Sequence, residues 1–404
     1  MKITIYISFI FLLIVGQIQA QIEYKTYRPE KIYPKDIQVG AQQFDKYAEL
    51  LKDKNVAVLG NQTSMVGDVH LVDFLLSKEV SVKKVMSPEH GFRGNAGAGE
   101  HVANGKDAKT GLPIISLYGG HRKPTKEDLD SIDIVLFDLQ DVGTRFYTYI
   151  STLQYLMEAC ANYHIKVIVL DRPNPNGYFV DGPVLNPKFK SFVGMQSIPI
   201  VHGMTVGEYA KMLNGEGWLK DKVVCDLTVV PIENYRHAQL YQLPIKPSPN
   251  LPTMEAIYLY PTLCLFEGTK ISIGRGTKKP FELVGHPDLT EFDTIFIPKP
   301  IKGVAPHPKL QGIECKGHVL TTYARKRTTF ERKINIYWIA TGYFELGGKE
   351  DYFTSFFDKL AGTDQLRKQI IAGKTEDEIR ASWQPKIKKF KKIRRKYLLY
   401  PDFE

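Results

Sequence analysis

Acidic, amide and guanidinium side chains recur at short intervals in the first half of this 404-residue chain. Asn61 opens a polar cluster with Gln62, Thr63 and Ser64. Glu89 and His90 lead into Arg93 and a loop with glycines at 91, 94, 97 and 99. Asp138, Gln140, Asp141 and Arg145 fall within eight residues, and Asp171 and Arg172 follow. A carboxyl group shielded from water, or placed beside a like charge, keeps its proton to higher pH and can protonate a leaving group. Glu89, between Pro88 and Phe92, suits that part. Asp138 and Asp141 are candidates for a second reacting carboxylate, of which Asp141 is preferred. Each has a plainer account: Glu89 as a loop carboxylate bonded to backbone N–H groups, one aspartate as a turn cap or the partner of Arg145.

Two later segments carry the same kinds of residue. His202 lies in a loop ahead of a helix, and Thr205 with Glu208 forms a capping box that explains Glu208 but leaves His202 free. Glu267 and Arg275 sit in a pair of glycine-rich turns. Glu267 could accept from hydroxyl groups, and Arg275 could grip a carboxylate with two parallel hydrogen bonds. A turn-stabilising ion pair between them is the plainer account. The glycines after Glu89 form neither a P-loop nor a dinucleotide fingerprint, since no Gly-Lys-Ser/Thr and no clear helix follows. His90, His101 and His202 with Asp138 match no H-x-x-x-H spacing, so no metal and no cofactor are expected.

These residues need elements to hold them. Apolar runs at 56–60, 82–87, 114–118, 132–138, 167–170 and 225–231 read as strands, several of them continuous Val/Ile/Leu stretches suited to burial on both faces. Helical patterns at 42–52, 69–77, 149–163 and 206–215 alternate with them. That rhythm predicts an α/β fold, a Rossmann-like doubly wound parallel sheet. In such a sheet ligands bind beyond the carboxyl ends of the strands, and four strands deliver polar clusters to that edge. Four prolines within 243–252 mark a boundary. Beyond it a helix over 254–265, strand-like segments at 294–298, 315–320 and 333–338, and a helical last third predict a smaller C-terminal α+β domain. The expected division is a signal segment over 1–20, the sheet domain over 21–245 and the auxiliary domain over 246–404.

Composition narrows the class. Hydrophobic residues make up 43% and charged residues 24%, which is ordinary globular composition. Four scattered cysteines with no C-x-x-C pair exclude a zinc ribbon or a dense disulfide framework. Lys2, the apolar stretch 3–15 and the small residue Ala20 read as a cleavable export signal, cut near Ala20, placing the mature chain in the periplasm or outside the cell. No second apolar stretch is long enough to span a bilayer, so no stable membrane insertion is expected. The net charge is +10, and eight of the eleven residues from Lys386 to Lys396 are basic. A solvated helix face is the plain reading, and attraction to an anionic polymer the functional one. No nucleic-acid module accompanies the run.

Seven motifs stand in order: SPEHGFRG at 87–94, DLQDVGTRFYTY at 138–149, DRPNPNG at 171–177, HGMT at 202–205, PNLP at 249–252, FEGT at 266–269 and SIGRGT at 272–277. Together they resemble the exo-β-N-acetylmuramidases, the NamZ-like glycoside hydrolases once known only as a domain of unknown function, from about residue 39 to the C-terminus. The resemblance implies an exported enzyme that releases N-acetylmuramic acid from the non-reducing end of peptidoglycan fragments. It implies an active site between a Rossmann-like domain and a C-terminal auxiliary domain, with Glu89 at the catalytic glutamate position and muroglycans as substrate. Asp141 as the second catalytic residue comes from local chemistry alone. Asn61, His90, Arg93, Asp138, Gln140, Tyr147, His202, Asn250 and Glu267 become candidate substrate contacts. Arg145, Arg172 and Arg275 become candidates for the lactyl carboxylate. Glycoside cleavage needs a proton donor plus a nucleophile, a base, or the substrate's own acetamido group, and spacing alone does not separate these.

Two rival classes follow from the same residues. A metal-dependent hydrolase or esterase acting on cell-wall polymers would need another nucleophile, since no Gly-x-Ser-x-Gly occurs. A non-catalytic glycan-binding protein would gain little from carboxylates crowded against an anionic sugar.

Overall fold

Residues 37–89, 91–93 and 104–404 are described by a computed structural model of the chain. The segment 1–20, His90, His101 and the glycines at 94, 97 and 99 lie outside these described residues. The chain lays down β1 (Val56–Gly60), a small hairpin of β2 (Met65–Val66) and β3 (Val69–His70), then β4 (Val82–Ser87), β5 (Gly105–Lys106), β6 (Pro113–Ser116), β7 (Ile134–Asp138), β8 (Lys166–Leu170) and β9 (Leu227–Val230). Seven of these strands form one sheet in the order β5-β6-β4-β1-β7-β8-β9. All neighbours run parallel except β5, which pairs antiparallel with β6.

Burial explains the strand composition. Val56, Val58, Ile134 and Leu136 belong to one hydrophobic core, and Ala57, Leu59, Val135 and Phe137 to another on the opposite face. Alternate residues serve different cores, so apolar side chains are needed at every position. The chain moves outward from β1 through β4 to β6, returns to β7, and moves outward the other way. This reversal between β1 and β7 opens a crevice at their carboxyl ends, the standard ligand position in a doubly wound sheet.

The proline-rich segment 243–252 is irregular, and helix Met254–Leu263 follows. A three-stranded antiparallel sheet then forms from β10 (Leu283–His286), β11 (Thr294–Phe296) and β12 (Cys315–Val319), in the order β10-β12-β11. Helices Tyr337–Glu345, Ser355–Ala361, Gln365–Ile371 and Glu376–Arg394 complete the chain. One of the two large cores is continuous through both halves: Leu153, Leu263, Phe357 and Trp383 share it. No helix among the described residues is long and apolar enough to cross a membrane.

Two expected elements take another form. The helix at 42–52 is broken into two 3-10 turns, Gly40–Gln42 and Phe44–Lys46, and a short helix, Ala48–Leu51. Here the backbone is tied to the sheet instead: Gly40 N donates to Asp171 O at 2.9 Å, and Gln43 Nε2 to Pro231 O at 2.6 Å. The segment 333–338 is not a strand. Its amides find side-chain acceptors in place of a neighbouring strand, Ile334 N on Asp181 Oδ2 at 2.8 Å and Asn335 N on Thr262 Oγ1 at 3.0 Å. The capping box of helix Val206–Gly215 is present as expected.

Candidate active site

Polar residues leave the strands at one edge, and each is fixed by its neighbours. Asn61, one residue past β1, is fully buried. Its Oδ1 accepts from Thr63 N at 2.9 Å and Thr63 Oγ1 at 2.6 Å, and its Nδ2 donates to Tyr149 OH at 2.7 Å. Glu89, two residues past β4, is half-buried. Tyr118 OH donates to its Oε1 at 2.9 Å and Thr148 Oγ1 to its Oε2 at 3.2 Å. Tyr118 comes from the chain after β6, and Thr148 caps helix Tyr149–Asn162. The carboxylate is therefore positioned by two elements besides its own strand.

Glu89 faces a cleft shared with Tyr147, Tyr149, Asn250, Tyr260 and Arg275. The rings pack edge to face: Tyr147 lies 4.8 Å from Tyr149 and 5.8 Å from Tyr260. Both the Tyr147 and Tyr149 hydroxyls donate to Pro247 O, at 3.0 and 3.4 Å, so the proline-rich segment is tied to the sheet edge. Asn250 donates Nδ2 to Val304 O at 2.6 Å, while its buried Oδ1 has no partner among the described residues. Arg275 lies over the Phe281 ring at 4.9 Å and donates Nε to Glu267 Oε1 at 2.6 Å. Glu267 thus orients the guanidinium, whose Nη groups make no hydrogen bond among the described residues.

Burial sets the electrostatics. Asp141 is 5% exposed and does not line the cleft. Its Oδ1 accepts from Gly143 N at 2.6 Å, and its Oδ2 is buried without a partner among the described residues. Desolvation pushes its pKa up to about 7, against the backbone hydrogen bonds from Gly143 and Val142. Burial also raises the Tyr149 phenol, and the charges of Glu89 and Asp141 both add to that shift.

Several expected substrate contacts have structural partners instead. Arg145 is fully buried and donates to three backbone carbonyls: Pro183 at 2.9 Å, Ile198 at 2.7 Å and Leu360 at 2.9 Å. It makes no bond to Asp141, and desolvation lowers its pKa to about 9. Arg172 holds Asp138 in a two-pronged contact at 2.6 and 2.9 Å and donates to Met65 O at 3.0 Å, so both side chains are engaged within the protein. Gln140 donates to Asp141 O at 2.9 Å and Pro173 O at 2.8 Å, stitching two strand-end loops together. His202 lies away from the cleft, with Nδ1 accepting from Met204 N at 3.2 Å. Burial, then the charges of Arg394 and Arg145, press its pKa down to about 3. Arg93 pairs with Asp107 at 3.1 and 2.7 Å and lines an adjoining hollow beside Gln62, His70 and Asp73. His90 lies outside the described residues.

The sequence reading passed over Tyr118, Thr148, Ser248, Tyr260 and Phe281. Thr148 lies inside the 138–149 motif, and Tyr118 ends a recognised strand, so strand-end position could have flagged both. Ser248, Tyr260 and Phe281 carry no such signal, because only the fold brings them to Glu89.

Comparison with known proteins agrees with this architecture. Residues 56–255 match the model for the N-terminal part of exo-β-N-acetylmuramidase NamZ, and residues 258–400 the model for its C-terminal part. The peptidoglycan β-N-acetylmuramidase NamZ of Bacillus subtilis (strain 168) is 40% identical over 375 residues, spanning 88% of this chain and 89% of that protein. Two DUF1343 family proteins of Bacteroides fragilis with crystal structures superpose on the fold. One has a TM-score of 0.84 at 47% identity, covering 91% of this chain and 99% of that one. The other has a TM-score of 0.75 at 27% identity, covering 90% and 99%. The two family models together take in both the sheet and the C-terminal elements, and the chain belongs to the exo-β-N-acetylmuramidase NamZ family.

Proposed function

We propose that this chain is an exo-acting glycoside hydrolase that releases N-acetylmuramic acid from the non-reducing end of peptidoglycan fragments, with Glu89 as proton donor. The observation that carries the reading is the make-up of the cleft. Among its described lining residues, Glu89 is the one carboxylate and Arg275 the one cation, set among tyrosine and phenylalanine rings. Such rings can receive a sugar face, and Glu89 can meet the glycosidic oxygen. Arg275, oriented by Glu267, takes the lactyl carboxylate that distinguishes this sugar from N-acetylglucosamine. With Glu89 as proton donor, this reading gives the second chemical role to the substrate's 2-acetamido group, the substrate-assisted route. Asp141, buried and not among the described residues that line the cleft, is given no reacting role in this reading.

The testing experiment is turnover of a chromogenic β-N-acetylmuramide beside the matching β-N-acetylglucosaminide. Cleavage of the first with little of the second supports the reading, and equal cleavage overturns it. We further propose that residues 1–20 direct export to the periplasm or medium. Recovery there of a chain beginning near Gln21 supports this, and an intact leader on a cytoplasmic protein contradicts it.

A further inference from the structure

The basic run near the C-terminus plays no part in the cleft. It occupies the second half of helix Glu376–Arg394 and the residues just beyond. Ile379, Trp383, Ile387, Phe390 and Arg394 are buried, marking the inner face at helical spacing. Three of the eight basic residues are neutralised. Arg394 pairs with Asp402 at 2.7 Å, Lys396 with Glu216 at 2.9 Å, and Lys391 with Glu404. Lys386, Lys388, Lys389, Lys392 and Arg395 are exposed and form no ion pair among the described residues. Complementing the helix dipole accounts only for basic residues in the last turn. Lys386, Lys388 and Lys389 stand further back.

A second feature adjoins them. A cavity of about 210 Å³ opens where Thr363, Gln365, Gln369, Ser382, Trp383 and Lys386 converge. Trp383 is 4% exposed, and its Nε1 is buried with no acceptor among the described residues. A buried N–H in that condition costs about 1–3 kcal/mol unless something accepts from it, and water or a ligand entering the cavity can do so. An indole N–H, two amides and two hydroxyls are the groups that recognise sugar hydroxyls and acetamido carbonyls. The lysines alongside add attraction for carboxylates. None of these residues lines the cleft at Glu89.

We propose that this cavity and the exposed lysine face form a second glycan-binding site, one that holds a carboxylate-bearing amino-sugar polymer while the cleft trims chain ends. The identity of the polymer rests on the function proposed above; the binding does not depend on turnover.

The test is co-sedimentation of the full chain with insoluble peptidoglycan at low and raised salt. Three proteins are compared: the wild type, the triple variant Lys388→Gln/Lys389→Gln/Lys392→Gln, and Gln369→Ala. The triple variant should bind roughly tenfold more weakly at low salt, as expected for several exposed charge contacts, and lose most of the salt dependence. Gln369→Ala should bind several-fold more weakly and keep it. Both should cleave the small chromogenic muramide like the wild type. Unchanged sedimentation of both variants overturns the proposal. So does equal binding to phosphatidylglycerol vesicles or to DNA, which would make the lysine face a general polyanion surface. A wild type that sediments but cleaves no muramide contradicts the proposed function and leaves this site standing.

Discussion

Arg275 is anchored through Nε, its other guanidinium nitrogens making no hydrogen bond among the described residues, and that asymmetry makes a prediction about specificity. Lysine has no planar fork, so Arg275→Lys cannot reproduce a two-pronged grip on the lactyl carboxylate. Charge-assisted hydrogen bonds contribute roughly 1.5–3 kcal/mol. Muramide turnover should therefore fall by about 10- to 150-fold, while any trace cleavage of the glucosaminide barely changes. Equal loss on both sugars would make Arg275 structural. Asp141 makes a prediction about pH. Its carboxyl titrates near 3.8 when unfolded and about 7 when folded. Between these values the folded state binds more protons, so stability falls as pH rises from about 4 to 7, by roughly 4 kcal/mol at most. His202 works in the opposite sense, since its folded pKa is depressed. The comparison is therefore the difference between wild type and Asp141→Asn, in which the His202 contribution cancels. That variant should unfold at a higher temperature than wild type at pH 8 and show no such advantage at pH 4. A constant difference across pH would contradict the buried, proton-holding Asp141. Residue types were legible in the sequence at this scale, and their partners were not. Arg145, Arg172 and Arg275 look alike in a one-dimensional reading. Only the fold gives the first three carbonyls, the second an aspartate and the third the cleft.

Strands are where the sequence spoke most clearly. Runs buried on both faces must be apolar throughout, and β1, β7 and nearly all of β8 lie where such runs occur, while β4 carries Lys83 and Lys84 before its buried end. The 42–52 and 333–338 segments failed for a shared reason: each is held by specific side-chain or long-range hydrogen bonds that leave no periodic trace. The strand-end loops obey the same rule, because Asp138 and Arg172 join the ends of β7 and β8 in a buried pair. Removing one partner leaves an uncompensated buried charge, typically a loss of 3–5 kcal/mol. Asp138→Ala should therefore lower unfolding free energy by about that amount in a denaturant titration. A change under about 1 kcal/mol would mean that the pair does not hold the strand ends together. Backbone fit matters in the adjoining loop too. Gly143 has φ +77°, and a Cβ there would lie 2.0 Å from Asn174 Oδ1, so the turn that fixes Asp141 tolerates no side chain.

Across the whole molecule, β1 and β7 open the crevice, β4 and β6 bring Glu89 and Tyr118, and the C-terminal half supplies Arg275 and Phe281. The position of the crevice was legible from strand ends alone. The far wall was not, since Tyr260 and Phe281 reach it through a core that spans both halves. In the function proposed above, one carboxyl group, Glu89, drives release of a terminal N-acetylmuramic acid with the acetamido group as partner. The most direct measurement follows the products of a disaccharide of N-acetylmuramic acid β-linked to N-acetylglucosamine by proton NMR, with wild type and with Glu89→Gln. The two sugars should appear in equal amounts, N-acetylmuramic acid first as the β anomer, and a normally folded Glu89→Gln should be slower by a factor on the order of 10²–10⁴. Initial release of the α anomer, or near wild-type turnover by Glu89→Gln, would contradict it.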